Sequence, residues 1–125
     1  MMKLEIKFDV EITQQDIDDI MCSALEGGIN YWCRKAEVVG DYLGEYASEQ
    51  ISRGGSLILY DAESSDKWEL TLDNFKDGLH QFLIDFPNNI EGDELNGYYI
   101  DPSNIDGCDA DNIVQYALFG SLIFN

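Results

Sequence analysis

From Asp77 to Asn125 the chain has no lysine and no arginine. Those forty-nine residues carry nine aspartates and glutamates, and the seventy-six before them carry sixteen acids and seven bases. Each part contributes −9 to a net charge of −18 on 125 residues. Natural surfaces usually mix signs, because opposite charges support one another and like charges repel. Affinity for a polyphosphate comes largely from cationic side chains, so the deficit disfavours direct binding to DNA or RNA. It equally disfavours docking on an anionic membrane. The partner this charge fits is a basic protein surface.

Other scarcities narrow the class further. No apolar run approaches the length of about 18 residues that marks a membrane span, and Met1–Val10 alternates apolar with charged residues where a signal peptide would be continuously apolar. A cytoplasmic protein is expected on that pattern. There are three cysteines, Cys22, Cys33 and Cys108, with no CxxC pair, and His80 is the only histidine. Free thiols are therefore expected and structural zinc is not. His80 has no serine or cysteine at a nucleophile's family spacing, and it lies beside the apolar face of a predicted helix, where packing is its expected role. No complete catalytic motif is present, so the expectation is a non-enzyme without a cofactor.

What the chain does have is core material. Hydrophobic residues make up 45% and prolines number two, which separates this acidity from that of disordered chains. One domain spanning residues 1–125 is the default at this length. Leu4, Ile6, Phe8, Val10 and Ile12 alternate with charged residues and predict a half-buried strand. Thr13 then caps a helix with Ile17, Ile20, Met21, Ala24 and Leu25 on its apolar side, closed or kinked at Gly27-Gly28. Helix is also predicted over residues 29–39 and over Asp41–Arg53, the latter packing through Leu43, Tyr46, Ala47, Gln50 and Ile51. A hairpin follows, with strands at Ser56–Tyr60 and Lys67–Leu72. Asn74 caps a helix running through Phe86, residues 88–106 read as irregular with a short strand at Tyr98–Ile100, and Asp109 or Asp111 caps a last helix. This order predicts an α+β domain with a small antiparallel sheet of about three strands packed against several helices.

Among the acids, Asp41, Glu45 and Glu49 recur four apart on the predicted second helix. Such neighbours sit about 5–6 Å apart, close to the spacing of phosphates along a nucleic-acid strand. The competing reading is a solvated helix face with Glu49 supporting Arg53. Glu91, Asp93, Glu94, Asp106 and Asp109 supply a second acidic surface. Nothing sets Asp85, Glu91, Asp93 or Glu94 in an apolar pocket, which is what raises a carboxyl pKa for acid–base chemistry. Asp101, Asp106, Asp109 and Asp111 fall short of a calcium loop, because the EF-hand register would place Pro102 at its first position. A divalent ion there is left open. Arg53-Gly54-Gly55-Ser56 lies between a helix and a strand, the reverse of the phosphate-binding order, and reads as a helix stop. An alternative small-anion site would use Arg34, Lys35 or Arg53, with Tyr31 or Trp32 stacking on a nucleotide.

The segments Ile12–Glu63 and Asn112–Gly120, most distinctively Asp16–Met21 with Ala24–Gly28, resemble small acidic proteins encoded by phages, prophages and other mobile elements of Gram-positive bacteria. The likeness spans about half the chain. It implies a genetic setting inside a bacterial host and transfers no functional residue. Small acidic phage proteins include inhibitors of host defence, among them anti-CRISPR proteins that occupy nucleic-acid channels. The function so implied is a non-enzymatic inhibitor whose carboxylates replace phosphates against a basic groove. Its rivals are a protein that sequesters a nucleotide signal and an accessory protein of phage assembly that oligomerises through an apolar patch.

Overall fold

Three helices each open on a reciprocal capping box, and these boxes fix where the chain turns into the core. The computed structural model describes residues 1–125. After a short strand β1 (Val10–Glu11) comes helix α1 (Gln14–Ser23), whose Thr13 hydroxyl accepts the Asp16 N–H at 3.0 Å while the Asp16 carboxylate accepts the Thr13 N–H at 2.9 Å. A π-helical turn, Ala24–Gly28, ends it. The chain continues through β2 (Cys33–Val38), a loop, β3 (Leu57–Asp61), β4 (Lys67–Leu70), α2 (Leu72–Asp85), β5 (Ile90–Asp93), β6 (Gly97–Ile100) and α3 (Gly107–Phe119).

The strands form two three-stranded sheets, ordered β2-β3-β4 and β1-β6-β5. The first is antiparallel throughout; in the second β5 and β6 form a hairpin and β1 lies parallel to β6. The fold is α+β, as predicted, with a second sheet and one parallel pairing that the sequence pattern did not give. A cluster of 20 buried apolar residues joins both sheets to the helices, with Ile20, Met21, Leu57, Leu59, Phe75, Phe82 and Ile113 at or near zero exposure. No helix is long and apolar enough to cross a membrane. The three cysteines are free thiols.

Several predicted elements are corrected. Of the strand expected at residues 4–12, only Val10–Glu11 is paired; β6 begins at Gly97, one residue before Val10's partner Tyr98, and offers no backbone to residues 4–8. The helix predicted over residues 29–39 is instead a turn leading into β2, whose Ala36 and Val38 oppose Leu59 and Leu57. Within β2, Ala36 and Val38 alternate with Lys35 and Glu37, the two-residue period of a strand. The helix predicted over Asp41–Arg53 is a loop containing one 3-10 turn, Ala47–Glu49. Asn74 is the third residue of α2 and Thr71 is its cap, so the two side chains satisfy each other's N–H groups. Asp106, not Asp109 or Asp111, caps α3. The stretch expected to be irregular contains the β5–β6 hairpin, including the strand predicted at Tyr98–Ile100.

Candidate functional site

The loop between β2 and β3 is built by two inward-pointing side chains. The Gln50 carboxamide is 1% exposed. Its oxygen accepts the Leu43 N–H at 3.0 Å, and its nitrogen donates to the carbonyls of Asp41 at 3.1 Å and Val39 at 3.5 Å. One carboxylate oxygen of Glu49 accepts the N–H groups of Glu45 at 2.8 Å and Tyr46 at 3.0 Å. The other meets the Arg53 guanidinium at 3.5 Å, and Arg53 also contacts Asp18 at 3.2 Å. Gly44 gives Glu49 its room, since a Cβ there would stand 2.8 Å from the Glu49 Cβ.

These contacts explain why no helix forms. A buried amide and a carboxylate satisfy backbone groups that a helix would have paired internally. The outcome is a backbone held from below, with Asp41, Tyr42, Leu43, Glu45 and Tyr46 all turned to solvent. Tyr42 is 60% exposed and Tyr46 62%. Large amphipathic rings on a pre-ordered loop lose little entropy when a partner covers them, which is how binding loops concentrate affinity.

The acidic stripe therefore does not exist as predicted. Asp41 and Glu45 are on the outside of the loop, while Glu49 is turned in to organise it. The amides of Tyr46 and Glu45 hold the Glu49 carboxyl below the usual glutamate value. Leu43 and Tyr46, expected in a helix packing face, are exposed.

The second predicted surface divides between two elements. Glu91 is half-buried in β5, Glu94 is exposed at the hairpin tip, and Asp93 accepts the Asn96 N–H at 2.7 Å to close the turn. That bond holds the Asp93 carboxyl low. Asp106 and Asp109 face each other across the α3 cap, where burial and then the Asp106 charge push the Asp109 carboxyl up. Asp101 is occupied by Ser103, through both its N–H and its hydroxyl. No group of three or more His, Cys, Asp or Glu side chains is arranged to hold a metal ion.

The alternative small-anion residues divide into three groups with different partners. Trp32 is 2% exposed; its ring stacks on Phe124 at 4.9 Å and meets Trp68 and Phe119 edge-on, so its face is not free for a nucleotide. Its indole N–H donates to buried Asp111 at 2.7 Å, and the Tyr31 hydroxyl donates to the same carboxylate at 2.6 Å. Burial, and then Asp111, push the Tyr31 phenol up to about 12. Gln115 joins this network from α3 and accepts the N–H groups of Ile123 and Phe124, tying the chain's last residues to the core. Arg53 is committed to Asp18 and Glu49.

Arg34 and Lys35 sit over the Tyr60 ring at 5.1 and 5.4 Å, where Lys67 joins them at 6.0 Å. The sequence reading missed Lys67. Its signal was the predicted hairpin, whose register sets Lys67 opposite Tyr60. Tyr42 and Gln50 were missed as loop residues because their segment was read as helix. No family model, no curated protein and no solved structure matches the chain.

Proposed function

We propose that this chain is a non-enzymatic accessory protein of a phage or other mobile element that binds a basic surface on a nucleic-acid-binding host defence complex, in the manner of an anti-CRISPR inhibitor. The observation that carries the reading is the β2–β3 loop, which exposes Asp41 and Glu45 next in sequence to the exposed Tyr42 and Tyr46 on a backbone fixed by Gln50 and Glu49. Carboxylates supply the sign complementary to lysine and arginine in a groove that normally takes phosphates, and the tyrosines supply contact area and hydrogen-bonding hydroxyls. The net charge of −18 steers the molecule toward such a groove over long range. The resemblance of Ile12–Glu63 and Asn112–Gly120 to mobile-element proteins supports the genetic setting.

The test is inhibition of target DNA cleavage by purified CRISPR effector complexes from Gram-positive hosts. Inhibition is expected to weaken steeply as salt rises. It should fall at least tenfold in Asp41→Asn/Glu45→Gln and again in Tyr42→Ala/Tyr46→Ala, with the thermal melt of each variant unchanged. Inhibition that survives both pairs of substitutions, or none at all across the panel, overturns the reading.

A further inference from the structure

One stretch of this molecule departs from both its charge and its packing rules. Residues 1–9 make no regular secondary structure, and Met2, Leu4, Ile6 and Phe8 are all exposed, Leu4 at 91% and Ile6 at 79%. Isolated exposed apolar residues are ordinary, but a whole alternating face of them is not. The segment leads directly into β1, which is an edge strand with one side unpaired. Unprotected strand edges invite pairing with another chain.

The segment's alternation of apolar and charged residues has the period of a strand. Ile6, Phe8, Val10 and Ile12 all line a groove of about 1040 Å³ against Phe75, Leu79 and other apolar residues of α2. Phe8 packs on Tyr98 with ring centroids 4.0 Å apart. Lys7 meets Glu5 at 3.4 Å, a contact open to residues two apart in an extended chain.

We infer that Met2–Val10 pairs antiparallel with the same segment of a second copy, about a two-fold axis at Ile6. The charge order selects this partner and this register. With Ile6 opposite Ile6, Lys3 faces Asp9 and Glu5 faces Lys7, so all four charged cross-strand pairs are of opposite sign. The apolar face pairs Leu4 with Phe8 and Met2 with Val10. Changing the sum of paired positions by two puts lysine against lysine and acid against acid, and changing it by one sets apolar residues against charges. Parallel in-register pairing opposes every charge to its own kind.

The segment from Met2 to Val10 is also electrically neutral, with two lysines against two acids in a chain of −18. It is where two such copies can approach with least repulsion, and it offers nothing to a basic partner. In the pair, the second copy's Leu4 lies beside Phe8 on the face toward the α2 groove and extends its apolar lining. The resulting contact is isologous, as two-fold dimers require. This goes beyond the proposed function and does not rest on it.

The test is charge exchange, read by sedimentation at increasing protein and salt concentration. The native chain is expected to dimerise, more tightly as salt screens the repulsion between the acidic bodies. Lys3→Glu/Lys7→Glu makes the segment wholly acidic and Glu5→Lys/Asp9→Lys makes it wholly basic. Each variant alone should self-associate about tenfold or more weakly than the native chain, and an equimolar mixture should restore the dimer. All four side chains are exposed, so circular dichroism should show every variant folded. A native chain that stays monomeric, variants that dimerise alone as tightly as the native chain, or a mixture that stays monomeric overturns the inference.

Discussion

Gln50 and Glu49 show how much two adjacent side chains can decide. Together they accept three backbone N–H groups and donate toward two carbonyls across the β2–β3 loop. The amides of Tyr46 and Glu45 bond the ionised Glu49 carboxylate more strongly than the neutral acid, which is why its folded-state carboxyl lies below the ordinary value of 4.5. A depressed carboxyl contributes order that is fully present above the unfolded pKa and is lost as pH falls through the folded one. The amide proton resonances of Glu45 and Tyr46 should therefore shift upfield together, with a common midpoint below 4.5. In Glu49→Gln that shared transition should vanish from the proton–nitrogen spectra. Independent midpoints, or no shift, would mean that Glu49 does not hold the loop.

At the scale of elements, the molecule rests on capped helices packed closely. Helices α2 and α3 approach closely at Gly78, where a Cβ would stand 2.4 Å from the Ile113 carbonyl oxygen and 2.6 Å from the Ala117 nitrogen. Alanine gains about 1 kcal/mol over glycine in helix propensity, while overpacking a core typically costs about 1–3 kcal/mol. Both atoms met are backbone, which cannot rotate away. Gly78→Ala should thus lower stability despite its better propensity, and chemical denaturation should show a reduced midpoint. A midpoint that rises would place the two helices farther apart than described.

Elements also divide what could be read from the sequence. The three helix starts were legible because Thr, Asn and Asp near an apolar 3.6-residue period carry their own local mechanism, even where the capping residue was displaced by three positions. The β3–β4 hairpin was legible for the same local reason. The region from residue 29 to 53 was not. Its apolar spacing also fits a helix, but the groups that satisfy its backbone come from Ser56, Leu57 and neighbours on β3, and from the side chains of Gln50 and Glu49. Long-range partners of that kind leave no period in the sequence. The candidate site fell in this region, so Asp41 and Glu45 were singled out by their charge, while Tyr46 was assigned to a helix packing face and Tyr42 was given no role.

For the whole molecule, the charge of −18 opposes compaction, and screening should relieve it. The melting temperature should rise by several degrees between low salt and about 0.5 M sodium chloride, followed by calorimetry. A flat or falling curve would show that the few ion pairs, such as Arg53 with Asp18 and Glu49, outweigh the general repulsion. Salt is expected to act in two directions at once: it weakens attraction to a basic partner and eases the approach of a second copy.

The sequence alone determined the sign of the surface, the presence of a core, the starts of the three helices to within a few residues and the charge order of Lys3 to Asp9. Composition and local period carry those facts, because each depends on residues near one another along the chain. Only the tertiary structure decided which acids face outward. Glu49, Asp106, Asp109 and Asp111 are consumed in holding the fold, whereas Asp41, Glu45 and Glu94 are left to solvent. That division depends on which donors the folded chain brings within hydrogen-bonding distance. The Trp32 and Tyr31 donors that engage Asp111 come from 79 and 80 residues away.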